Sequence, residues 1–338
     1  MIKEPIILAI ESSCDDTSAA ILKGKKILSN IVANQEIHSL YGGVVPELAS
    51  RAHQQNIIPV VDAAIKKANI NKKDISAIAF TKGPGLLGSL LVGSSFAKSF
   101  ALGMDIPLIA VNHMKGHILS HFIDDGKARP KFPFLCLTVS GGHTQITLIE
   151  NASNMQIIGT TIDDAAGEAF DKSAKILGLP YPGGPHIDQL AKKGNIHAFE
   201  FGKPKIKELD FSFSGLKTSI LYKIQNNLQK NPKFIEENLE DLCASIQHSI
   251  VSILLNKLEK AIKLTGIKQL AIAGGVSANS YLRNELKKLE KEKSYQIYIP
   301  KFEYCTDNAA MIAIAGYFKY LDKDFSDQNE TPSARLSF

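Results

Sequence analysis

No run of eighteen apolar residues occurs anywhere in the 338-residue chain, so the sequence predicts no membrane-spanning helix and no membrane partner. The start, "MIKEPIILAIESSCDD", lacks a basic region, a full-length apolar stretch and a small-residue cleavage site. It reads directly as a strand, so neither secretion nor organelle import is expected. Cysteine is scarce: Cys14, Cys136, Cys243 and Cys305 lie far apart and form no CxxC, which argues against a disulfide framework and for a reducing, cytoplasmic setting. Arginine is limited to Arg51, Arg129, Arg283 and Arg335, so lysine carries the net charge of +5. The clusters "KGKK" (23–26) and "KPKIK" (203–207) offer contacts to phosphate backbones, although many other lysines sit beside acids, as in "KKLEKEK". One absence is local. Residues 113–117, "HMKGH", carry two histidines four apart but lack the glutamate that a zinc hydrolase sets beside the first; Met114 stands there.

What is present is an alternation of strand and helix patterns that occurs twice. "PIILAIE", "TSAAIL" and "KILSNIVA" predict three short strands separated by "SSCDD" and "KGK". A helix is predicted from Pro46, with Leu48, Ala52, Ile57, Val60, Val61 and Ala64 near helical spacing. The strand "ISAIAFTKG", a glycine loop, a small-residue helix, the strand "IPLIAV" and the histidine helix complete a mixed α/β layer. Then "PFLCLTVS", "HTQITLIE" and "MQIIGTTI" restart the meander. A long helix over 233–264, the strand "KQLAIAGG" with its glycine turn, the strand "QIYIP" and a helix from "TDNAAMIAIAGYF" follow. The expected domains are 1–128 and 129–306, with the boundary at the proline-rich "KARPKFP" (127–133) and a C-terminal helix of about 307–325 packing back on the first. The polar tail "SDQNETPSARLSF" reads as poorly ordered.

Three turns carry candidate chemistry. "AIESSCDDTSAA" (9–20) and "LTVSGGHTQIT" (137–147) are strand–turn–strand units whose backbone amides can cradle phosphate. "AIAGGVSANSYLR" (271–283) joins a strand to a helix and lets a base or ribose approach the backbone, with Asn279 as donor and acceptor. Three such loops facing a cleft between two similar halves is the layout of the actin/Hsp70/sugar-kinase superfamily, a duplicated ribonuclease H-like fold with a central nucleotide cleft. His113 and His117 share a helix face and can grip one ion. Asp307, at a helix start in "YCTDNAA", is the best third ligand; its competing reading is a helix N-cap. His121 drifts off the face by about 40° per four-residue step and reads as packing, and Cys305 reads equally as a soft ligand or a buried small side chain. Glu11 and Asp15 lie in the first turn, where each reads equally as a base or as a group that positions amides or metal-bound water.

The segments "ESSCDDTSAAIL", "KSFALGMDIPLIAVNHMKGHI" (98–118), "SGGHTQ" (140–145), "DDAAGEAFDKSAKILGLPYPGGP" (163–185), "FSFSGLKT" (211–218) and "AGGVSANSYLR" (273–283) occur in the order that closely resembles the TsaD family, over about residues 6–320. These are tRNA N6-adenosine threonylcarbamoyltransferases, formerly called O-sialoglycoprotein endopeptidases, and the short form resembles the bacterial type. The resemblance implies metal ligation by His113, His117 and Asp307, of iron(II) first, with zinc or magnesium as other occupants. It implies substrate binding by Thr138, Val139, Ser140, Gly141, Gly142, Asp171, Gly184, Asp188 and Asn279. It also implies transfer of a threonylcarbamoyl group from threonylcarbamoyl-AMP to N6 of the adenosine beside the anticodon, in tRNAs reading codons that begin with A. A TsaB-like paralogue and a TsaE-like ATPase are the implied partners, and "GVVPELASRAHQQN" (44–57) is a candidate docking helix.

Rival readings are a metallopeptidase, an ATPase or kinase of the same superfamily, and a scaffold. The peptidase needs a base near metal-bound water, which "HMKGH" does not supply. The kinase normally follows its first-turn acid with glycine and a hydroxyl residue, where this chain has Glu11-Ser12-Ser13.

Overall fold

The computed structural model describes residues 4–202, 204 and 206–337; Lys203 and Lys205 of the "KPKIK" cluster lie outside the described residues. The chain divides into two compact units. The first comprises Met1–Pro130, Asn151–Met155 and Pro300–Phe338, and the second Lys131–Glu150 and Gln156–Ile299.

In the first unit, β1 (Ile6–Glu11), β2 (Thr17–Lys23) and β3 (Lys26–Ala33) form an antiparallel meander, and β4 (Ala77–Gly83) and β5 (Leu108–Asn112) extend it in parallel, in the order β3-β2-β1-β4-β5. All six residues of β1 are buried, because a central strand covered on both faces cannot alternate polar and apolar side chains. Helix α1 (Pro46–Ala68) starts with proline at its first turn, where the missing N–H costs nothing, and buries Ile57, Val60, Val61, Ala64 and Ile65. Helix α2 (Leu87–Met104) is long and apolar enough, by length and composition, to cross a membrane, the one such helix among the described residues. No unbroken apolar run marks it, because Gly, Ser and Lys98 interrupt the helix. Its Leu90, Gly93, Ser94, Ala97 and Ala101 are buried, and it packs on β4 and α1, as a core helix does. Helix α3 (His113–Leu119) follows β5 directly.

The second unit has the same sheet. Its strands β6 (Phe134–Val139), β7 (Thr144–Ile149) and β8 (Met155–Thr160) form the meander, and β9 (Gln269–Ala273) and β10 (Gln296–Tyr298) are the parallel extension. Helices α4 (Ala166–Ile176), α5 (Gly183–Ala191), α6 (Ser214–Leu228), α7 (Phe234–Thr265) and α8 (Ser280–Lys293) complete it. The apolar stripe of α7, including Leu242, Ile246, Ile250 and Leu254, lies in the core with Phe170, Phe211 and Phe213. This duplicated α/β sheet is the fold class expected from the strand and helix patterns.

Helix α9 (Ala309–Leu321) packs on β1, β2, β4 and α3. At Gly316 a Cβ would come within 2.7 Å of the Ala79 Cβ, so only glycine permits this approach. The tail differs from its expected disorder. Ser326 pairs with Leu108 in an antiparallel bridge, the Ser333 N–H donates to the Lys82 carbonyl (2.8 Å), and the Ala334 carbonyl accepts from Gly85 N–H (3.2 Å). These are backbone bonds, to which polar composition gives no clue.

Candidate active site

The parallel order β1-β4-β5 brings three carboxyl-terminal strand ends side by side: Glu11 on β1, Thr81 on β4, and His113 just beyond β5. Open α/β sheets bind ligands at this edge. Asn112 caps α3 by accepting from the N–H groups of Met114 (2.9 Å) and Lys115 (3.2 Å), which fixes where the first helical turn begins. His113 and His117 then lie one turn apart, with ring centroids 4.8 Å apart in an edge-to-face arrangement. Asp307 Oδ1 sits 3.4 Å from His113 Nε2 and 3.1 Å from His117 Nε2. The three ligand atoms lie within 4.8 Å of one another, close enough to share one ion. Two donors about 2.1 Å from a common ion and about 90–110° apart would be about 3.0–3.4 Å from each other, which the two Asp307–histidine spacings match; the widest ligand pair would have to draw closer around an ion.

The alternative offered for Asp307 fails, because Asn308 is the cap of α9 and accepts from the Met311 N–H (3.2 Å). Cys305 is buried and donates its thiol to the Lys301 carbonyl (3.3 Å). His121 lies outside the cluster for a reason stronger than drift. The helix ends at Leu119 and tightens into a 3₁₀ turn at Ser120–Phe122, so the α-helical face does not reach it.

Behind His113 stands Glu11, fully buried. Its Oε2 meets His113 Nδ1 at 3.1 Å and accepts from the Thr81 hydroxyl at 2.6 Å, while its Oε1 accepts from the Ser13 N–H at 2.5 Å. Ser13 Oγ also lies 3.1 Å from His113 Nδ1. The Nδ1 side of the ring is therefore occupied, and Nε2 is turned to Asp307. This carboxylate–histidine pairing is the usual support of a metal-bound imidazole. Burial alone would lower the pKa of His113, but Asp307 and Glu11 hold it well above the ordinary imidazole value. Burial would likewise raise the two carboxylates, yet the facing histidines hold both below their usual range. Asp16, in the same first turn, is pushed up to about 7 by burial and then by Asp15 and Asp307. Met114, in the place of a peptidase glutamate, is buried in the core.

In the second unit, Thr138 and Val139 end β6 as buried residues, and Ser140 to His143 turn back into β7, with the Ser140 N–H donating to the His143 carbonyl (2.8 Å). The glycines divide into two kinds. A Cβ on Gly167 would lie 2.5 Å from the Ser140 carbonyl oxygen, one on Gly183 would collide with Ala174, and one on Gly274 (φ 85°) with the Val139 carbonyl, so the fold itself requires these three. A Cβ on Gly141, Gly142 or Gly275 would meet nothing within 4 Å, and one on Gly184 only Phe170, at 3.9 Å. Asp171 Oδ1 accepts from the Gly183 N–H (2.8 Å) and so braces the turn that presents Gly184; its pKa is raised by burial against the pull of the Gly183 and Gly184 amides. Asp188 accepts from the Ser280 N–H (3.1 Å) and hydroxyl (2.8 Å). Asn279 caps α8 at Leu282 N–H (2.9 Å) and donates to Gln247 Oε1 (2.6 Å). In these contacts Asp171, Asp188 and Asn279 fix the shape of the loops. Thr81 and Gln247 carry no sequence signal, and the attachment of Glu11 to His113 follows only from strand order.

The geometry has relatives. A family model described as TsaD, tRNA N6-adenosine threonylcarbamoyltransferase, matches residues 26–314. The chain is 63% identical over 333 residues to a tRNA N6-adenosine threonylcarbamoyltransferase of Christiangramia forsetii, with 98% of each chain covered. It is 62% identical to the protein of that name from Riemerella anatipestifer, again with 98% of each covered. Among solved structures, full-length HypF in a phosphate- and nucleotide-bound form aligns over 95% of this chain and 47% of its own, with TM-score 0.61 at 15% identity. An activator of 2-hydroxyisocaproyl-CoA dehydratase from Clostridium difficile, with bound ADPNP, aligns over 96% and 98%, with TM-score 0.51 at 15% identity; these two likenesses concern the fold alone. With near full-length identity above 60% and a family model spanning both units, the chain belongs to the TsaD family of tRNA N6-adenosine threonylcarbamoyltransferases.

Proposed function

We propose that this protein transfers the threonylcarbamoyl group of threonylcarbamoyl-AMP to N6 of the adenosine beside the anticodon, in tRNAs reading codons that begin with A. The observation that carries the reading, beside family membership, is the two-histidine, one-aspartate cluster in which the buried Met114 stands where a zinc hydrolase sets its glutamate base. Glu11, the nearest carboxylate to His113, accepts from Thr81 and Ser13 and faces Nδ1, so it is committed as a support. A peptidase must make hydroxide at its metal, whereas an acyl transferase must avoid it, because water would destroy the activated donor. His113, His117 and Asp307 would hold one divalent ion, and two imidazoles with one carboxylate favour iron(II), with zinc or magnesium as other occupants. When bound, that ion supplies Lewis-acid polarisation of the acyl phosphate. The amides of Cys14 and Asp15 in the first turn would face the departing phosphate. Thr138 to Gly142, Gly184 and Asn279 offer backbone and amide contacts to the nucleotide, with Asp171 and Asp188 holding those loops in shape.

A TsaB-like paralogue and a TsaE-like ATPase complete the system, in the cytoplasm. In support, Ile58 on α1 and Leu87 and Leu91 on α2 are exposed large apolar side chains, the kind a permanent partner covers. Four free cysteines fit a reducing compartment. The test uses the purified protein with its partners, labelled threonylcarbamoyl-AMP and tRNA. Label is expected in tRNA, with sialoglycoprotein left uncut. Metal-dependent cleavage of that glycoprotein without tRNA modification would overturn the reading.

A further inference from the structure

The turn between β1 and β2 is gripped from behind by two helices. His53 of α1 has no exposed surface, and its Nε2 lies 2.9 Å from the Cys14 carbonyl while its Nδ1 lies 2.8 Å from the Thr17 hydroxyl. A carbonyl only accepts, so Nε2 carries the hydrogen; burial keeps the ring neutral, and Nδ1 then accepts from Thr17. The Ser89 hydroxyl of α2 donates to the same Cys14 carbonyl (3.1 Å), and the Leu86 N–H donates to the Ser13 carbonyl (2.7 Å). Two consecutive carbonyls are thus drawn towards α1 and α2. In a trans peptide the C=O and the following N–H point in opposite directions. The N–H groups of Cys14 and Asp15 therefore face away from the two helices, and among the described residues neither donates to a partner.

We propose that His53 is a positioning residue for the transfer reaction: by holding the Cys14 carbonyl from behind, it aims the Asp15 N–H at the phosphate of the acyl-adenylate. The inference rests on threonylcarbamoyl-AMP being the donor. Ser13 of the same turn touches His113, so a phosphate beside the triad lies within reach of these amides. No helix propensity or packing need demands a histidine here. An apolar residue of the same volume would fill the site but would leave the Cys14 carbonyl with one donor fewer. Such a group acts on ground-state binding of the donor, so its loss belongs in KM.

The test compares His53→Asn, which lacks a donor at the Nε2 position, with His53→Gln, whose amide reaches it. The measurements are steady-state kinetics with partners present, and metal content. His53→Asn is expected to raise KM for threonylcarbamoyl-AMP about tenfold, the effect of one misaimed hydrogen bond to a charged group. KM for tRNA and metal stoichiometry should be unchanged, and His53→Gln should recover most of the loss. An unchanged donor KM in His53→Asn, or equal rises for donor and tRNA, would overturn the inference. Should His53→Asn not fold, Ser89→Ala decides: a raised donor KM supports the inference, and an unchanged one overturns it. Wild-type protein that transfers nothing from the adenylate would bring down the functional reading as well. Normal wild-type transfer with an unchanged donor KM in the variant would bring down this inference alone.

Discussion

Glu11 is an anion with no exposed surface, and its nearest cationic partner is the His113 ring. If its task is to orient that ring, Glu11→Gln should keep the fold and lower metal affinity about 10- to 100-fold, as read by metal titration. His121→Ala should leave metal stoichiometry intact, because the chain leaves the α-helical path at Leu119. A second expectation concerns pH. Asp307 and Glu11 raise the pKa of His113, so the metal-free protein holds a proton on that ring at neutral pH. An entering ion must expel it. Metal affinity should therefore climb as pH rises from 6 to 8, about tenfold per unit while one proton is displaced, and Asp16, pushed up to about 7, would steepen the climb if it also deprotonates. Affinity independent of pH over that range would show that His113 is already neutral.

At the scale of elements, the glycine turns separate what the fold needs from what a ligand needs. Gly274→Ala should destabilise the second unit, by about 1–3 kcal/mol from its backbone conformation alone, with the clash against Val139 added. Gly275→Val should fold normally, since its Cβ meets open space, yet weaken adenylate binding roughly ten- to hundredfold if the nucleoside occupies that space. Isothermal titration on the folded variant decides, and unchanged affinity would place the nucleoside elsewhere. Both glycines read alike in "AIAGGVSANSYLR". What distinguishes them is the sign of φ and the Val139 carbonyl, which enters through the parallel pairing of β6 with β9. The same limit applies to the candidate metal site. His113 and His117 were legible because helical spacing is local, and the strands because their apolar runs are short and bounded by turn residues. The bond from Glu11 to His113 spans 102 residues and depends on β1, β4 and β5 lying side by side, an order that no spacing encodes.

Over the whole molecule, the first unit is built from both ends of the chain. Residues 300–338 supply α9, Asp307 and the tail that bonds to β5 and to the Gly83–Gly85 loop. Removing residues 326–337 should raise hydrogen exchange at Leu108–Val111 and at the Gly83–Leu86 loop, and leave β6 and β9 as protected as before. Equal deprotection of both units would mean that the tail acts on the molecule as a whole. The same arrangement sets an order of events during synthesis. The second unit, residues 131–299 apart from 151–155, is fully synthesised before residue 300 is added, and its core needs nothing that comes later. The first unit, although it leads the chain, must wait. His117 stands 190 residues ahead of Asp307, an interval of about 10–40 s at ordinary translation speeds. During that time β1 and β4 lack the cover of α9, and an ion would meet only two of the three candidate ligands. The nascent chain is thus most exposed to misfolding, and to ions that two histidines alone can hold, in the half that was made first.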